Sequence, residues 1–367
     1  MLPLTHNEIP FLKLWLRRIH LGLALISGLF LLIVSLTGAV MIYAKDIQHL
    51  IEPNKWLVTP QTNLMPYDVL IQNVQAQTKH KITFFMPEQA PNAAWQFRLA
   101  NKHYASVDPY SGSVLNVYES TDTIYGFAMG LHRWLLFENS KGEKTFKNWM
   151  SVCALLLLIN VLLGFYLWVK PKNRIKRLAI KPKAKFRVLM YQLHTVLGVY
   201  FFIPLVLIAF TGMAFNWKTQ TQSVLEFVTF NKVEQRPEAP KIIAPSQATL
   251  DYNKAIKNAE NVFPDGKVYR IYLPKKHDES IALRMQNPGE SHAYSWVWTN
   301  PFTGKVLNSF DASKTNFTTQ AWNFKYKFHI GDFAGPIVQF LWLLIALSLA
   351  FFIVSGVYFW LKRHKWK

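Results

Sequence analysis

The sequence predicts a membrane protein: an all-α four-helix bundle carrying two α+β domains outside the membrane, the whole written as a parallel internal duplication. Three observations predict it. Four long uncharged runs, 19–44, 149–169, 188–217 and 333–361, each exceed the ~18 residues that separate a membrane span from a buried core helix. The first and third runs carry a histidine at one end and a Thr-Gly pair near the other. These are His20 with Thr37-Gly38 and His194 with Thr211-Gly212, both 17 residues from His to Thr. The long segments that follow them repeat one order of helix and strands around two matching stretches, VDPYSGSVL and TNPFTGKVL.

Composition agrees with the spans. Of 367 residues 51% are hydrophobic and only 17% are charged, too apolar for two or three ordinary soluble domains. The formal net charge of +20 is concentrated in short segments beside the spans. Lys13, Arg17 and Arg18 precede the first, nine basic residues lie in 170–187, and Lys362, Arg363, Lys365 and Lys367 close the chain, with Glu8 the one opposing charge. The positive-inside rule puts these segments in the cytoplasm and the long loops across the membrane. Nucleic-acid binding, the rival explanation of the charge, lacks a single basic domain to carry it.

The predicted order is therefore a cytoplasmic N-terminus at 1–18, a first span at 19–44, and an outer domain with its lead-in at 45–148. A second span at 149–169, a basic cytoplasmic loop at 170–187 and a third span at 188–217 follow. The second outer domain and lead-in at 218–332, the fourth span at 333–361 and the tail at 362–367 complete it. The first run is longer than a signal-peptide core, and Met41-Ile42-Tyr43-Ala44 is a poor cleavage site, so it reads as an uncleaved anchor. Cys153, the one cysteine, falls inside the second span, where it can form no intrachain disulfide; no CxxCH is present to attach a cofactor covalently. Pro204 is the only candidate kink in any span, and no span carries a paired charge or a broken helix.

In the first outer segment a helix is predicted over 66–78 and strands over 81–86, 94–100, 103–107 and 113–118. In the second, a helix is predicted over 245–261 and strands over 267–273, 280–286, 293–299 and 305–310. Pro early and Gly late between apolar stretches is the turn chemistry of a hairpin, so each segment reads as a helix plus a small antiparallel sheet. Falling between matching spans, the repeated turn marks a duplicated domain. The returning spans match as well: LHRWLL precedes one that ends GFYLW, and FHIGDF precedes one that ends GVYFW. Both units enter from the same side, so their two-fold axis runs along the membrane normal.

Such an axis keeps equivalent residues at equal depth. His20 and His194 fall at a cytoplasmic level, His132 and His329 at an outer one. Facing imidazoles in a helical bundle can hold one metal between them. Zinc wants four N or S ligands, and no Cys or acidic cluster accompanies either pair. A haem iron needs only two axial ligands, and Trp15, Phe30, Tyr191, Phe201, Phe202, Trp342 and Phe351 would suit a large flat ring. An isolated histidine at a span end is an ordinary interfacial residue. Recurrence at matching places, and the cost of an ionisable group in a span, favour a ligand. His364 is a rival ligand at the cytoplasmic level, whereas His103 and His292 read as surface residues of the outer domains. Two haems at two depths imply transmembrane electron transfer. No GxGxxG or GxxxxGK motif binds a nucleotide, and the cytoplasmic segments are too short for a flavin domain. A separate reductase, reduced flavin or membrane quinol is the expected donor.

The span-leading histidines with their Thr-Gly pairs, the LHRWLL lead-in and the two Pro-aromatic-Ser/Thr-Gly turns resemble the PepSY-associated transmembrane helix family over nearly the whole chain. The resemblance implies PepSY-like outer domains, inner-membrane localisation in a Gram-negative bacterium, two b-type haems on His20, His194, His132 and His329, and reduction of periplasmic ferric siderophores. FHIGDF departs from the second half of the lead-in motif, and Leu163-Gly164 and Ser355-Gly356 stand where a returning span would carry Thr-Gly. Two other functions are open: a haem-free PepSY module that binds a partner or regulates a protease, and a siderophore permease.

Overall fold

The computed structural model describes residues 8–243 and 249–364. Expectations resting on Lys365 and Lys367, on the side chains of Glu8, Arg363 and His364, and on residues 245–248 lie outside the described residues. The chain begins with helices α1 (Glu8–Ile51), α2 (Pro53–Trp56) and α3 (Tyr67–Thr78). Strands β1 (Ile82–Met86), β2 (Trp95–Leu99), β3 (Tyr104–Val107) and β4 (Val114–Tyr118) follow. Next come α4 (Ile124–Trp134), α5 (Lys147–Val169), α6 (Phe186–Tyr200), α7 (Phe202–Ala214), α8 (Lys218–Thr229) and α9 (Tyr252–Glu260). Strands β5 (Lys267–Tyr272), β6 (Ile281–Gln286), β7 (Ser295–Thr299) and β8 (Val306–Phe310) lead into α10 (Phe317–Ile330) and α11 (Pro336–His364). Two compact units result. A helical unit holds the chain up to Ile42, Ala128–Val224 and the part from Tyr326 onward; a sheet unit holds Tyr43–Phe127 and Leu225–Lys325.

In the helical unit, Phe11–Ile51 of α1, all of α5 and Pro336–Lys362 of α11 are long and apolar enough to cross a membrane. The third expected span passes that test only as α6 and α7 together, bent by 66°. It is broken, which corrects the expectation of unbroken spans. Pro204 is the cause: it has no N–H for the Tyr200 carbonyl, so the ladder stops and Phe201 takes a non-helical φ of −93° and ψ of 7°. Leu31 of α1, Met150, Cys153 and Leu157 of α5, Ala209 of α7 and Leu349 of α11 share one apolar core. Polar side chains lock neighbouring helices where lipid tails would supply no hydrophobic drive. Ser35 donates to Ala346 O (2.5 Å) and accepts from Ala350 N (3.1 Å), joining α1 to α11. Asn216, just past α7, donates to Lys147 O and Ser151 Oγ of α5, both at 3.0 Å.

In the sheet unit the two outer segments do not make two separate sheets. They make one antiparallel sheet of eight strands, in the order β4-β3-β2-β1-β5-β6-β7-β8. The join is β1 against β5, with Phe84 opposite Tyr272, Phe85 opposite Ile271, and Leu273 N donating to Thr83 O at 3.0 Å. Apart, each half would leave a ladder of unpaired backbone groups on that edge. One face of the sheet is the core side. Leu70, Ile71 and Val74 of α3 and Ala255, Ile256 and Ala259 of α9 cover Phe85, Phe97, Leu283 and Val297 there.

The two helices also cap each other. Tyr67 N donates to Asn253 Oδ1 (2.6 Å), while Tyr252 N and Asn253 N donate to the two oxygens of Asp68 (2.9 and 3.1 Å). Tyr67-Asp68 and Tyr252-Asn253 open the two helices, so each first turn satisfies orphan N–H groups of the other. Tyr67 Oη donates across the same seam to Glu260 Oε1 at 2.8 Å. The second helix starts later than the sequence predicts, because Asp251 caps it by accepting from Lys254 N.

Asp68→Ala removes two acceptors from the start of α9. It should destabilise the sheet unit by about 1 kcal/mol, the usual cost of a lost cap, read as a lower melting point of the strand signal in the far-UV circular dichroism of the full chain. An unchanged melting point would contradict the cross-capping role.

Candidate functional site

Four histidines of the helical unit share one local design. His20, on α1, has its Nδ1 3.1 Å from the Asn160 carbonyl of α5. His132, on α4, has its Nδ1 2.9 Å from the Val34 carbonyl and 3.3 Å from Thr37 Oγ1, both on α1. His194, on α6, reaches Ser355 Oγ of α11 at 2.7 Å. His329, on α10, reaches Thr211 Oγ1 of α7 at 2.9 Å.

These partners dictate where the ring proton sits. A carbonyl only accepts, so His20 and His132 must donate from Nδ1. The hydroxyls beside His329 and His194 give their own protons to helix carbonyls: Thr211 to Leu207 O (2.8 Å) and Ser355 to Phe352 O (3.2 Å). The Thr211 oxygen is therefore left to accept and the Ile208 carbonyl accepts beside it, so His329 carries its proton on Nδ1; the contacts of Ser355 fit the same assignment for His194. In a neutral imidazole that leaves the lone pair on Nε2. Among the described residues no hydrogen-bond partner reaches Nε2 of any of the four. Metal-bound histidines show the same orientation, one nitrogen tied to a carbonyl or hydroxyl and the other left to ligate.

Glycines let the helices come this close. A Cβ on Gly164 would stand 3.1 Å from His20 Cε1 and one on Gly38 3.3 Å from His132 Cε1, both tighter than ordinary contact, whereas one on Gly212 would meet His329 Cε1 at an ordinary 3.5 Å. The Thr-Gly pairs of the outgoing spans thus serve the histidines of α4 and α10. The glycine late in the second span serves His20, and Ser355 late in the fourth serves His194. The sequence shows the Thr-Gly repeat without showing its use; its recurrence next to a histidine repeat was the available signal.

Spacing brings the histidines together in pairs. The rings of His132 and His329 lie 6.2 Å apart, centroid to centroid, with their planes at 73°. His20 lies within electrostatic range of His194. Along α1, His20 and the Gly38 contact of His132 are separated by roughly 27 Å at 1.5 Å per residue. Two imidazoles ligating one metal from opposite sides at roughly 2 Å each place their ring centres about 6 Å apart. No group of three or more His, Cys, Asp or Glu that could hold a metal ion occurs among the described residues. The donor set therefore fits a metal whose other ligands come with it, as in haem, better than a metal held by protein alone.

The walls differ from the expected ones. His194 lies edge-on to Phe352 (5.1 Å) and Phe359 (6.1 Å), and His329 to Phe215 (5.2 Å), none of which the sequence singled out. Phe202 stacks on Phe165, Phe30 meets Trp149, Trp342 packs on Phe328 and Phe333, Tyr191 meets Phe359, and Trp15 is exposed. FHIGDF and LHRWLL end their helices differently. Leu135 and Leu136 take left-handed φ of 56° and 61° after α4, whereas Gly331 takes +74° after α10, where a Cβ would strike Trp342. His103 is half-exposed beside Glu119. His292 is buried against Tyr269 and Tyr294, correcting its reading as a surface residue: the aromatic pair roofs it over.

Histidine-selective ¹⁵N NMR of the ligand-free protein should find all four rings as the Nδ1–H tautomer. Ser355→Ala, which removes the hydroxyl that meets His194 Nδ1, should move His194 alone toward a mixture of tautomers. An Nε2–H majority in the wild type would contradict the assignment.

No curated protein matches the chain. A family model described as the PepSY-associated TM region matches residues 17–363. The chain belongs to the PepSY-associated TM region family.

Proposed function

We propose that this protein is a haem-dependent reductase of the bacterial inner membrane, passing electrons from the cytoplasmic side to Fe(III) held by a siderophore in the periplasm. The observation that carries the reading is the set of four histidines each tied at Nδ1, with the His132 ring 6.2 Å from that of His329 and His20 within electrostatic range of His194. In this reading α1, α5, the broken pair α6–α7 and α11 form a four-helix bundle. Its basic ends and both termini face the cytoplasm, and the sheet unit is two PepSY-like halves in the periplasm.

His20 with His194 and His132 with His329 would each hold one haem b. Haem bound there supplies reversible one-electron chemistry at two depths, tuned by axial ligands and burial. The chain's own part is to orient four imidazoles. Asn160 O, Val34 O, Ser355 Oγ, and Ile208 O with Thr211 Oγ1 keep each proton on Nδ1, and Gly164 and Gly38 admit the rings of His20 and His132 between helices. At the substrate, Fe(III) gains one electron and becomes Fe(II). The lower charge weakens the hold of hard oxygen donors, so iron is released with no covalent bond cut. The donor is a cytoplasmic reductase, reduced flavin or quinol.

A siderophore permease is favoured by one observation, the broken third span, a feature transporters use at their binding sites. Vesicles reconstituted with the purified protein, reductant inside and ferric siderophore outside with a ferrous-specific dye, separate the two. The reductase reading expects external Fe(II), and a loss of at least about tenfold, on the scale of a removed metal ligand's neighbour, in each of His20→Ala, His132→Ala, His194→Ala and His329→Ala. Accumulation of intact ferric chelate inside, with no Fe(II) formed, would establish the permease instead.

A further inference from the structure

The sheet has a second face, opposite α3 and α9, and its chemistry differs from that of the core. One row of cross-strand partners on it reads Tyr118, Tyr104, Arg98, Phe84 and Tyr272 from β4 to β5. The next row places Arg270 directly opposite Arg284, and Arg284 opposite Trp296. The rings follow one another at contact distance: Tyr104 to Phe84 at 6.5 Å, Phe84 to Tyr272 at 5.6 Å and Tyr272 to Trp296 at 5.6 Å. Guanidinium groups cover them, with Arg98 4.4 Å from the Tyr104 centroid, Arg270 4.5 Å from Phe84 and Arg236 4.1 Å from Trp296. Phe84, Arg98, Tyr104, Arg270, Tyr272 and Trp296 all remain partly exposed.

None of the eight strands contains an Asp or Glu, and the carboxylates Glu88 and Glu290 approach this face only from loops, near Tyr118 and Tyr294. Among the described residues every ion pair is made by Lys or His, and none by Arg. Glu88, the acid after β1, pairs with Lys45. Arg270 Nε is buried with no hydrogen-bond partner, although its Nη1 donates to Tyr272 Oη at 3.2 Å. Like charges directly opposite each other in a sheet are destabilising; Arg284 is engaged by Ala293 O, Tyr269 and Tyr294, which leaves Arg270 as the member of the pair with bonding capacity for an anion.

We infer that this face binds an anionic aromatic small molecule, its rings lying against Phe84, Tyr104, Tyr272 and Trp296 and its negative charge on Arg98 and Arg270. Arginine serves here because a guanidinium both stacks on rings and pairs with oxyanions. Taken with the proposed reductase function, on which this one step rests, the surface selects ferric chelates of the catecholate class. Catecholate oxygens outweigh the charge of Fe(III) and leave an anionic aromatic complex, whereas hydroxamate oxygens merely balance it.

The test is calorimetric titration of the full-length protein in detergent with gallium(III) complexes, which copy the charge and shape of the iron complexes and are not reduced. A gallium tris-catecholate should bind at least about ten times more tightly than a gallium tris-hydroxamate, the equivalent of one lost strong contact, and added salt should weaken it. Arg98→Gln and Arg270→Gln should each remove about that factor. Arg236→Gln, at an exposed position that cannot threaten the fold, should weaken binding in the same direction. Equal affinity for the two complexes, or unchanged affinity in well-folded Arg variants, would overturn the inference. So would arginine-dependent binding seen only with anionic lipid vesicles. Gallium binding needs neither haem nor an electron donor, so the surface can stand if the reductase reading falls, and the reverse.

Discussion

A neutral imidazole placed among apolar helices has one N–H to satisfy, and most of the helical unit's polar detail follows from satisfying it at Nδ1. The acceptor must come from another helix at the right height. That requirement puts a carbonyl or a hydroxyl beside each ring and a glycine next to it wherever the backbones must close. Thr37 and Thr211 show how the hydroxyl is used. Each gives its proton to a carbonyl of its own helix, at 2.6 and 2.8 Å, and so presents only an acceptor to the histidine. The Val34 carbonyl beside Thr37 and the Ile208 carbonyl beside Thr211 are second acceptors, so the buried ring N–H keeps a partner on the neighbouring helix.

The same economy of pairing governs the sheet unit. A four-stranded half with one helix has an open edge and a helix start with orphan N–H groups. Joining two halves closes the β1–β5 edge and lets Asp68 and Asn253 cap across the seam. One face is then sealed by α3 and α9. The other carries rings and arginines with no carboxylate in the strands, a composition that serves recognition better than stability.

Much of this could be read from the sequence, because it was written twice. The strand ranges agree within about two residues, well inside the usual uncertainty of element ends, since alternation and the Pro-to-Gly turns are local signals. The four histidines were legible for the same reason. What failed to show was non-local. The pairing of Phe84 with Tyr272 joins strands far apart in the chain, and nothing in either strand announces its neighbour. Pro204 announced a kink, but only the lost Tyr200 acceptor and the 66° bend show a break. His292 looked polar and external until Tyr269 and Tyr294 closed over it. The Thr-Gly pairs were visible as a pattern, yet their histidines lie 95 and 118 residues further along the chain, beyond the reach of local reading.

The proposed function turns on whether the four Nε2 atoms hold iron. The most direct measurement is the visible spectrum of the detergent-purified protein, oxidised and then reduced with dithionite, with haem quantified as its pyridine complex. The account predicts a Soret band, sharp α and β bands on reduction, and about two b-type haems per chain, the stoichiometry of two bis-histidine sites. A colourless, fully folded protein from haem-replete cells would contradict it.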